Sequence, residues 1–332
     1  MVGRLSAQSG YEQPKSLQFC ISTVPDTSKT PARPVATKGS MPDSSVAQNE
    51  VSVCALQSSL RPPDELPLDA ARRVQAQMSA ITSRESVDMF VLPELCPIGY
   101  SEDTFANYLP LNSEQQALYE EIDKIMQQTA KQLGTYVCYG TIGWTSNDTP
   151  DGAPTLHIRQ KVINRSGNQV AFYDKTHLCD YGECKETRFF QRGPASRPTS
   201  FAVEKIGEQS FRFGLIICAD MRYPGLSRAL AAEDEHVVDC ILQPAAFARD
   251  VSFRTWSSFR ETRAVENSVF WVGVNYAGSH FGDSSIVPPW VDDENESVTL
   301  GTEEGYLMGF VSRQSLECAR TNMPFYNFLR GR

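Results

Sequence analysis

Short apolar runs rich in β-branched and aromatic residues alternate, from position 51 onward, with stretches whose apolar residues recur at helical spacing. This alternation is typical of an α/β protein with buried strands. The runs that we predict to be strands are residues 51–57, 87–92, 135–142, 155–164, 170–173, 211–217, 237–242, 269–275 and 306–311. We therefore predict one α/β domain over residues 51–332.

Two of the intervening stretches predict amphipathic helices. The apolar positions that share one helical face are Val74, Met78 and Ile81 in the first stretch, and Leu118, Ile122, Ile125 and Leu133 in the second. The second stretch opens with Ser113 and Gln116, which have the spacing of a capping box. Both apolar faces predict core contacts and not a cofactor site.

Residues 1–50 differ in composition from the rest of the chain. They are rich in Ser, Thr, Pro and Gln and hold few large apolar residues, so they bury too little surface to offset the entropy of ordering. We predict a disordered extension there. Basic residues outnumber acidic ones in its first forty residues, which weakly resembles an organellar transit peptide; an untargeted tail is the alternative. Since Met41 precedes the first predicted strand, we expect residues 1–40 to be dispensable for the domain.

Charge and cysteine usage narrow the class of protein. The formal net charge of −9, with no basic cluster to offset it, disfavours nucleic acid as a partner. The apolar runs are far shorter than the roughly 20 residues that cross a bilayer, so no membrane span is predicted. Nine cysteines, an odd number without a CxxC pair, indicate free thiols and not a disulfide framework or a zinc ribbon. We predict a cytoplasmic location, with a mitochondrion or plastid as the alternative if residues 1–40 are a transit peptide.

The segment 211–230 carries the sharpest local signal for chemistry. An apolar strand is predicted to end at Cys218, and a helix is predicted to begin near Pro224. This order would place the thiol at the carboxyl edge of the sheet, where the helix that follows and the Ala219 N–H would lower the thiol pKa and bind an oxyanion. The alternative is an inert core thiol, which is the commoner fate of a buried cysteine.

Two further strand ends carry ionisable residues, Glu94 and Lys175. Each alone fits a solvated charge at the point where a strand emerges. In an α/β sheet, however, the carboxyl ends of the strands converge on the ligand crevice. We therefore predict that this carboxylate, this ammonium and the Cys218 thiol meet in one reaction centre.

The sequence segments around these three residues resemble the motifs of the nitrilase (carbon-nitrogen hydrolase) superfamily over residues 51–330. The residues that carry the resemblance are Pro93, Glu94, Gly99 and Tyr100; Tyr173, Lys175, His177 and Leu178; Gly214, Cys218, Asp220, Arg222 and Pro224; and the stretches 263–267, 275–278 and 301–320. The resemblance implies an αββα four-layer sandwich, pairing into a homodimer or higher homo-oligomer, and no metal or organic cofactor.

The same resemblance implies a hydrolase that acts on non-peptide carbon–nitrogen bonds. Cys218 would be the nucleophile and Glu94 the general base, and Lys175 with the Ala219 N–H would stabilise the tetrahedral oxyanion. Glu186 would orient Lys175 or the substrate, and Glu183 is the alternative for that role. These assignments predict a small-molecule amide as the partner.

Substrate class is predicted from the residues after the nucleophile. They look closest to the branch that contains ω-amidases and related small-amide hydrolases, and the Arg222 guanidinium would bind a substrate carboxylate. A structural pairing of Arg222 with a nearby acid is the alternative. Ala219 and Gly225 depart from the residues usual in the family at those places, which leaves the specificity open. An N-carbamoyl amidohydrolase or a nitrilase remains an alternative reaction.

Other classes of function fit the sequence less well. A Cys/His protease would need one of only four histidines, and a serine hydrolase would need a GxSxG elbow, whose nearest approach at 225–229 lies in a predicted helix. The non-enzyme alternative is a family member that has lost turnover and acts as a binding or scaffold protein.

Overall fold

Two β-sheets packed face to face form the centre of this computed structural model. The structure describes residues 20–22, 49–109, 111–145, 154–182, 184–194, 199–205, 210–232, 237–293 and 295–323. The first sheet contains β1 (Cys20–Ser22), β2 (Glu50–Gln57), β3 (Met89–Val91), β4 (Tyr136–Thr145), β5 (Thr155–Ile163), β6 (Gln169–Asp174) and β13 (Gly305–Ser312). The second contains β7 (Ser200–Glu204), β8 (Ser210–Leu215), β9 (Cys240–Pro244), β10 (Phe270–Val274), β11 (Ser285–Val287) and β12 (Val298–Thr299).

Each sheet has a parallel centre and antiparallel edges. The first sheet has the order β1-β13-β2-β3-β4-β5-β6, with β2, β3 and β4 parallel to one another. The second has the order β12-β11-β10-β9-β8-β7, with β8, β9 and β10 parallel. Parallel central strands end at one edge of each sheet, so residues that follow β3 and β8 can approach one another.

Helices cover the outer face of each sheet. They are α1 (Pro67–Thr82), α2 (Glu102–Tyr108), α3 (Ser113–Leu133), α4 (Pro224–Ala232), α5 (Arg254–Asn267) and α6 (Arg313–Asn322). The pair α1 and α3 packs beside the first sheet, and the pair α4 and α5 packs beside the second, while β2 and β13 face β10 and β11 across the centre. The result is the αββα sandwich that the sequence predicts.

The two predicted helices form where their apolar faces indicate. Val74, Met78 and Ile81 are buried on α1, and Ile122 and Ile125 are buried on α3. The predicted Ser113/Gln116 capping box is wrong. Asn112 caps α3 instead, because its side-chain oxygen accepts hydrogen bonds from the backbone N–H groups of the first turn.

All nine predicted strands are present, with ends that differ by a few residues. The short strands β7, β11 and β12 were not predicted, because their two to five residues are too few for a clear hydrophobic period. The strand β1 lies within residues 1–50 and pairs antiparallel with β13. The disorder of that extension stays a prediction. Residues 1–19 and 23–48, which carry the targeting prediction, lie outside the described residues.

Within the described ranges, no helix combines the length and the apolar character needed to cross a membrane.

Candidate active site

A buried lysine lies between two buried carboxylates at the carboxyl end of the first sheet. Glu94 follows β3 and Lys175 follows β6, and both side chains are 0% exposed. The Lys175 Nζ donates to Glu94 Oε1 at 2.7 Å and to Glu186 Oε1 at 2.6 Å. The structure therefore brings together three of the residues that the sequence singled out.

Hydrogen bonds from Ala246 and Tyr276 fix the position of Glu94. Its Oε2 accepts a hydrogen bond from the Ala246 N–H at 2.9 Å, and its carbonyl oxygen accepts one from the Tyr276 hydroxyl at 2.8 Å. The next residue, Leu95, has a left-handed backbone with a φ of 56° and packs directly against Gly140. A Cβ at position 140 would lie 2.2 Å from the Leu95 nitrogen, so this approach requires glycine there.

Glu186 belongs to a 3₁₀ turn, Glu186–Arg188, and both of its carboxylate oxygens have protein partners. The Tyr100 hydroxyl donates to Oε1 at 2.5 Å, and the Cys179 N–H donates to Oε2 at 2.7 Å. Sequence reasoning gave Tyr100 no role, although it lies in the segment that resembles a family motif. The structure shows that its hydroxyl is hydrogen-bonded to Glu186 and so belongs to the same network as Glu94 and Lys175.

Cys218 opens a strained turn at the end of the second sheet. The strand β8 stops at Leu215, and a 3₁₀ turn covers Cys218–Arg222 before α4 begins at Pro224. Cys218 has a φ of 44°, which is costly for a non-glycine residue, and its carbonyl oxygen accepts a hydrogen bond from Gln243 Nε2 at 3.1 Å. A strained residue between a strand and a helix is typical of a nucleophile at an elbow, although the Cys218 side chain is buried here.

The buried carboxylate of Asp220 holds this turn against the strand that leads to Lys175. Its Oδ2 accepts from the Ile217 N–H and from the Tyr173 hydroxyl, both at 3.0 Å. Its Oδ1 accepts from the His177 backbone N–H at 2.9 Å and contacts His177 Nδ1 at 2.8 Å. The sequence analysis quoted Asp220 only as a motif residue two positions after the cysteine and assigned it no role.

Burial and neighbouring charges set the protonation of the charged cluster. Burial raises the pKa of Glu94 to about 7, and the Glu186 carboxylate also raises it, against the opposing Lys175 ammonium. Burial alone would lower the pKa of Lys175, but the Glu186 and Glu94 carboxylates outweigh it and hold this pKa well above its usual value. Lys175 is thus a permanent cation, and Glu94 is a carboxyl group that exchanges its proton near neutral pH.

The thiol does not behave as the sequence predicts. Burial raises the pKa of Cys218 well above its usual value, and Glu94 raises it further, whereas Lys175 lowers it. The predicted lowering of this pKa is therefore wrong for the free protein. The helix begins only at Pro224, beyond the turn, and desolvation of the thiolate dominates.

Comparison with known proteins now decides the family. The family model for carbon-nitrogen hydrolases matches residues 51–316, which is most of the chain. The chain belongs to the carbon-nitrogen hydrolase family. The family and the enzyme class predicted from the sequence are thereby confirmed.

Curated relatives of this carbon-nitrogen hydrolase carry the name deaminated glutathione amidase. The one from Escherichia coli O157:H7 is 25% identical over 257 residues, which are 76% of this chain and 88% of that protein. The one from Bos taurus is 29% identical over 175 residues, 49% of this chain and 50% of that protein. The chain spans 50–62% of the length of the mammalian relatives that it matches.

Solved structures of the nitrilase superfamily share the fold. An amidase from Nesterenkonia sp. has a TM-score of 0.64 and 22% identity, with 83% of this chain and 95% of that chain covered. Saccharomyces cerevisiae Nit3 has a TM-score of 0.65 and 20% identity, with 84% of this chain and 96% of that chain covered. The predicted fold of this carbon-nitrogen hydrolase is confirmed.

The remaining predicted site residues lie around the thiol. Ala219 is buried directly after Cys218. Arg222 donates from Nη2 to Ser252 Oγ at 3.1 Å, with its guanidinium over the rings of Phe247 and Phe259. Arg222 forms no ion pair within the described residues, so the predicted alternative of a structural acid partner is not seen there. Glu183 lies outside the described residues.

No group of three or more potential metal-ligating side chains is found in the part of the chain that the structure describes.

Proposed function

We propose that this carbon-nitrogen hydrolase cleaves small linear amides in the manner of an ω-amidase and releases ammonia. Cys218 would be the nucleophile, Glu94 the general base and Lys175 the electrophilic partner. The observation that carries the proposal is the contact of the buried Lys175 ammonium with the buried carboxylates of Glu94 and Glu186. Burial raises the pKa of Glu94 to about 7, and the pKa of the Cys218 thiol is shifted by burial and by the charges of Glu94 and Lys175.

Acylation of Cys218 requires Glu94 to be ionised and Lys175 to be protonated. The ionised Glu94 takes the thiol proton as the Cys218 sulfur attacks the amide carbonyl, so that a free thiolate need not accumulate. The tetrahedral oxyanion is stabilised by the Lys175 ammonium and by the Ala219 N–H. Glu94 then passes its proton to the nitrogen, the carbon–nitrogen bond breaks, and ammonia leaves a thioester on Cys218.

Deacylation reuses the same carboxyl group. Glu94, again ionised, removes a proton from water as the water oxygen attacks the thioester carbonyl, and the Cys218 sulfur leaves and regains the proton. Glu186 positions Lys175 throughout, because its Oε1 accepts from the Lys175 Nζ in the resting site. Glu186 is therefore proposed as a positioning residue.

The substrate class follows from the relatives and from Arg222. The curated relatives are named as amidases of deaminated glutathione, and structures of the Nesterenkonia amidase are described with acrylamide and butyramide. The Arg222 guanidinium, free of an acidic partner among the described residues, offers a planar site for a substrate carboxylate. We infer that short amides with a distal carboxylate are the preferred substrates.

Ammonia release over a panel of ω-amides, simple amides, N-carbamoyl amino acids and nitriles tests this proposal. We expect turnover of the ω-amides and none with Cys218→Ala. Carbon dioxide release alongside ammonia would identify an N-carbamoyl amidohydrolase instead. If a folded protein releases no ammonia from any compound in the panel, a binding or scaffold role would be favoured.

Assembly and location complete the proposal. We propose a homodimer in solution, as the family resemblance implies, and light scattering of the purified chain tests it. We also propose a cytoplasmic location, and comparison in cells of the full chain with one that starts at Met41 tests whether residues 1–40 direct it to an organelle.

A further inference from the structure

A buried asparagine, Asn275, follows β10 directly and binds the main chain of another segment with its side-chain amide. Its Oδ1 accepts a hydrogen bond from the Phe247 N–H at 2.9 Å, and its Nδ2 donates to the Phe247 carbonyl at 3.0 Å. The same Nδ2 also donates to the Gly282 carbonyl at 2.9 Å. One side chain therefore binds both main-chain groups of residue 247.

These partners permit a single orientation of the Asn275 amide. If the amide were turned over, its NH₂ group would face the Phe247 N–H, and its oxygen would face two carbonyl oxygens. An aspartate would meet the same two carbonyls without a proton to donate. An apolar side chain would leave the buried main-chain groups of residue 247 without these partners. The contacts at this position are thus matched to an asparagine.

The segment that Asn275 holds also contributes a hydrogen-bond donor to the charged cluster. The three residues after β9 lie beside the end of β10, where the Ala245 N–H donates to the last residue of that strand at 2.7 Å. The next N–H group, that of Ala246, donates to Glu94 Oε2 at 2.9 Å. Because Asn275 binds Phe247, the peptide that reaches Glu94 is anchored on both sides.

The main chain of Asn275 is in turn connected to the first sheet. Its N–H donates to Ser284 Oγ at 2.9 Å, and this hydroxyl donates back to the Asn275 carbonyl at 3.2 Å. The Ser284 N–H donates at 3.0 Å to Oε1 of Gln57, the last residue of β2. The neighbouring Tyr276 hydroxyl donates to the Glu94 carbonyl at 2.8 Å. Asn275 therefore lies where the ends of the two sheets are bonded to each other and to Glu94.

We propose that Asn275 is a positioning residue for Glu94 and acts through the peptide that carries the Ala246 N–H. This N–H binds Glu94 Oε2 while the Lys175 ammonium binds Oε1, so the carboxylate has one orientation. A hydrogen bond donated to a carboxylate favours its ionised form. The importance of Asn275 for turnover rests on the proposed function, in which Glu94 must be ionised to act as the general base.

Loss of the Asn275 side chain should change the protonation of Glu94. Burial raises the pKa of Glu94 to about 7, against the Lys175 ammonium and the Ala246 N–H, which both lower it. In Asn275→Ala the segment after β9 loses its anchor and the Ala246 N–H leaves the carboxylate, so Glu94 should titrate about one pH unit higher. As a result, kcat/KM should fall about tenfold at pH 6 and stay within about threefold of the wild type above about pH 9.

NMR of protein labelled with ¹³C at the glutamate side-chain carboxyl tests this shift without any turnover. The Glu94 resonance is the one that is missing from Glu94→Gln. Its titration is compared in the wild type, in Asn275→Ala and in the matched control Asn267→Ala. Asn267 is also fully buried, and its amide donates to the Arg263 carbonyl at the end of α5, without a bond to the segment that carries the Ala246 N–H. We expect the upward shift in Asn275→Ala alone.

A milder variant covers the case in which Asn275→Ala does not fold. Ser284→Ala removes one hydroxyl that binds the Asn275 main chain, so it should shift the Glu94 titration in the same direction by about half as much. An unchanged Glu94 titration in the folded variants would overturn the positioning role. An equal shift in Asn267→Ala would also overturn it, because the effect would then follow from destabilisation in general.

The pH dependence of kcat/KM, measured in the same proteins, links the shift to catalysis. We expect the acidic limb of the profile to move with the Glu94 resonance in Asn275→Ala and to stay in place in Asn267→Ala. If the resonance moves while the limb does not, or if the wild type has no turnover, the result counts against the proposed function alone. The positioning of Glu94 by Asn275 would still stand, because the resonance reports it directly.

Discussion

The two halves of the candidate active site are held in place by different forces. On the first sheet, Glu94, Lys175 and Glu186 hold one another through short contacts between opposite charges with no exposure to solvent. On the second sheet, Cys218 is held by a strained turn, which the buried Asp220 carboxylate ties to the neighbouring strand. We therefore expect protonation of Glu94 to abolish activity in the charged half, and displacement of Cys218 to abolish activity in the thiol half.

The largest expected effect removes the thiol itself. Cys218→Ala should lower kcat/KM for amide hydrolysis by about 10⁴-fold or more, because no other group can form the thioester. Unfolding in urea should show a change of about 1 kcal/mol or less, since little buried volume is lost. Cys240→Ala is the matched control, because it removes a buried thiol from β9 of the same sheet and should keep its turnover. Equal loss of activity in both variants would contradict the assignment.

The next effect tests protonation in the charged half. With a Glu94 pKa of about 7, kcat/KM should rise about tenfold per pH unit below pH 7 and level off above it, because the base must be ionised. Glu94→Gln should lose about 10³-fold in activity, and this acidic limb should disappear.

Glu186→Gln sharpens the same test. The Glu186 carboxylate raises the pKa of Glu94, so its removal should move the acidic limb to lower pH. The measurement is the pH dependence of kcat/KM in both variants. An acidic limb near pH 7 that persists in Glu94→Gln would assign the ionisation to another group.

A smaller effect probes geometry in the thiol half. Asp220→Asn places an amide N–H₂ among donors, so we expect a loss of roughly 2–4 kcal/mol in the free energy of unfolding and about 10–100-fold in kcat. The matched control is Asp239→Asn, a buried carboxylate that accepts from the Arg212 N–H and from Arg313, before β9 begins. It should destabilise the fold comparably and keep kcat, since it lies away from the turn. If kcat falls in both variants in proportion to the loss of folding stability, Asp220 has only a structural role.

The charged half was predictable from the sequence because the ends of strands can be recognised where an apolar run stops. Glu94 and Lys175 each follow an apolar run, and parallel strands bring such positions to one edge of a sheet. The predicted core strands and helices formed for the same reason, since their apolar periods are long enough to specify burial. The convergence of Glu94 and Lys175 at one sheet edge was therefore predictable from the sequence.

The thiol half was less predictable, because its properties depend on contacts between distant segments. The position of Cys218 was foreseen, but the sign of its pKa shift was not, since desolvation depends on packing. The Asp220 hydrogen bonds join positions 173 and 177 to the turn, and no local pattern encodes them. The Asn112 cap was missed because Ser113 beside it fits a capping motif equally well.

The smallest expected effect concerns Arg222, which touches neither the charged cluster nor the thiol half's carboxylate. Its guanidinium lies over two aromatic rings, donates to Ser252 and forms no ion pair among the described residues, and we propose that it binds a substrate carboxylate. Arg222→Ala should raise KM about tenfold for ω-amides with a carboxylate, leave kcat within about twofold, and leave both parameters nearly unchanged for a neutral amide of the same length.

The neutral amide is the control within this experiment, and Ser252→Ala is the control variant. Ser252 accepts the hydrogen bond from Arg222 but carries no charge, so its loss should raise KM for the acidic amide only slightly. If Arg222→Ala weakens acidic and neutral amides alike, the arginine supports the turn and not the substrate. In that case any preference for acidic amides would have to come from residues other than Arg222, and the proposed roles of Cys218 and Glu94 would be unaffected.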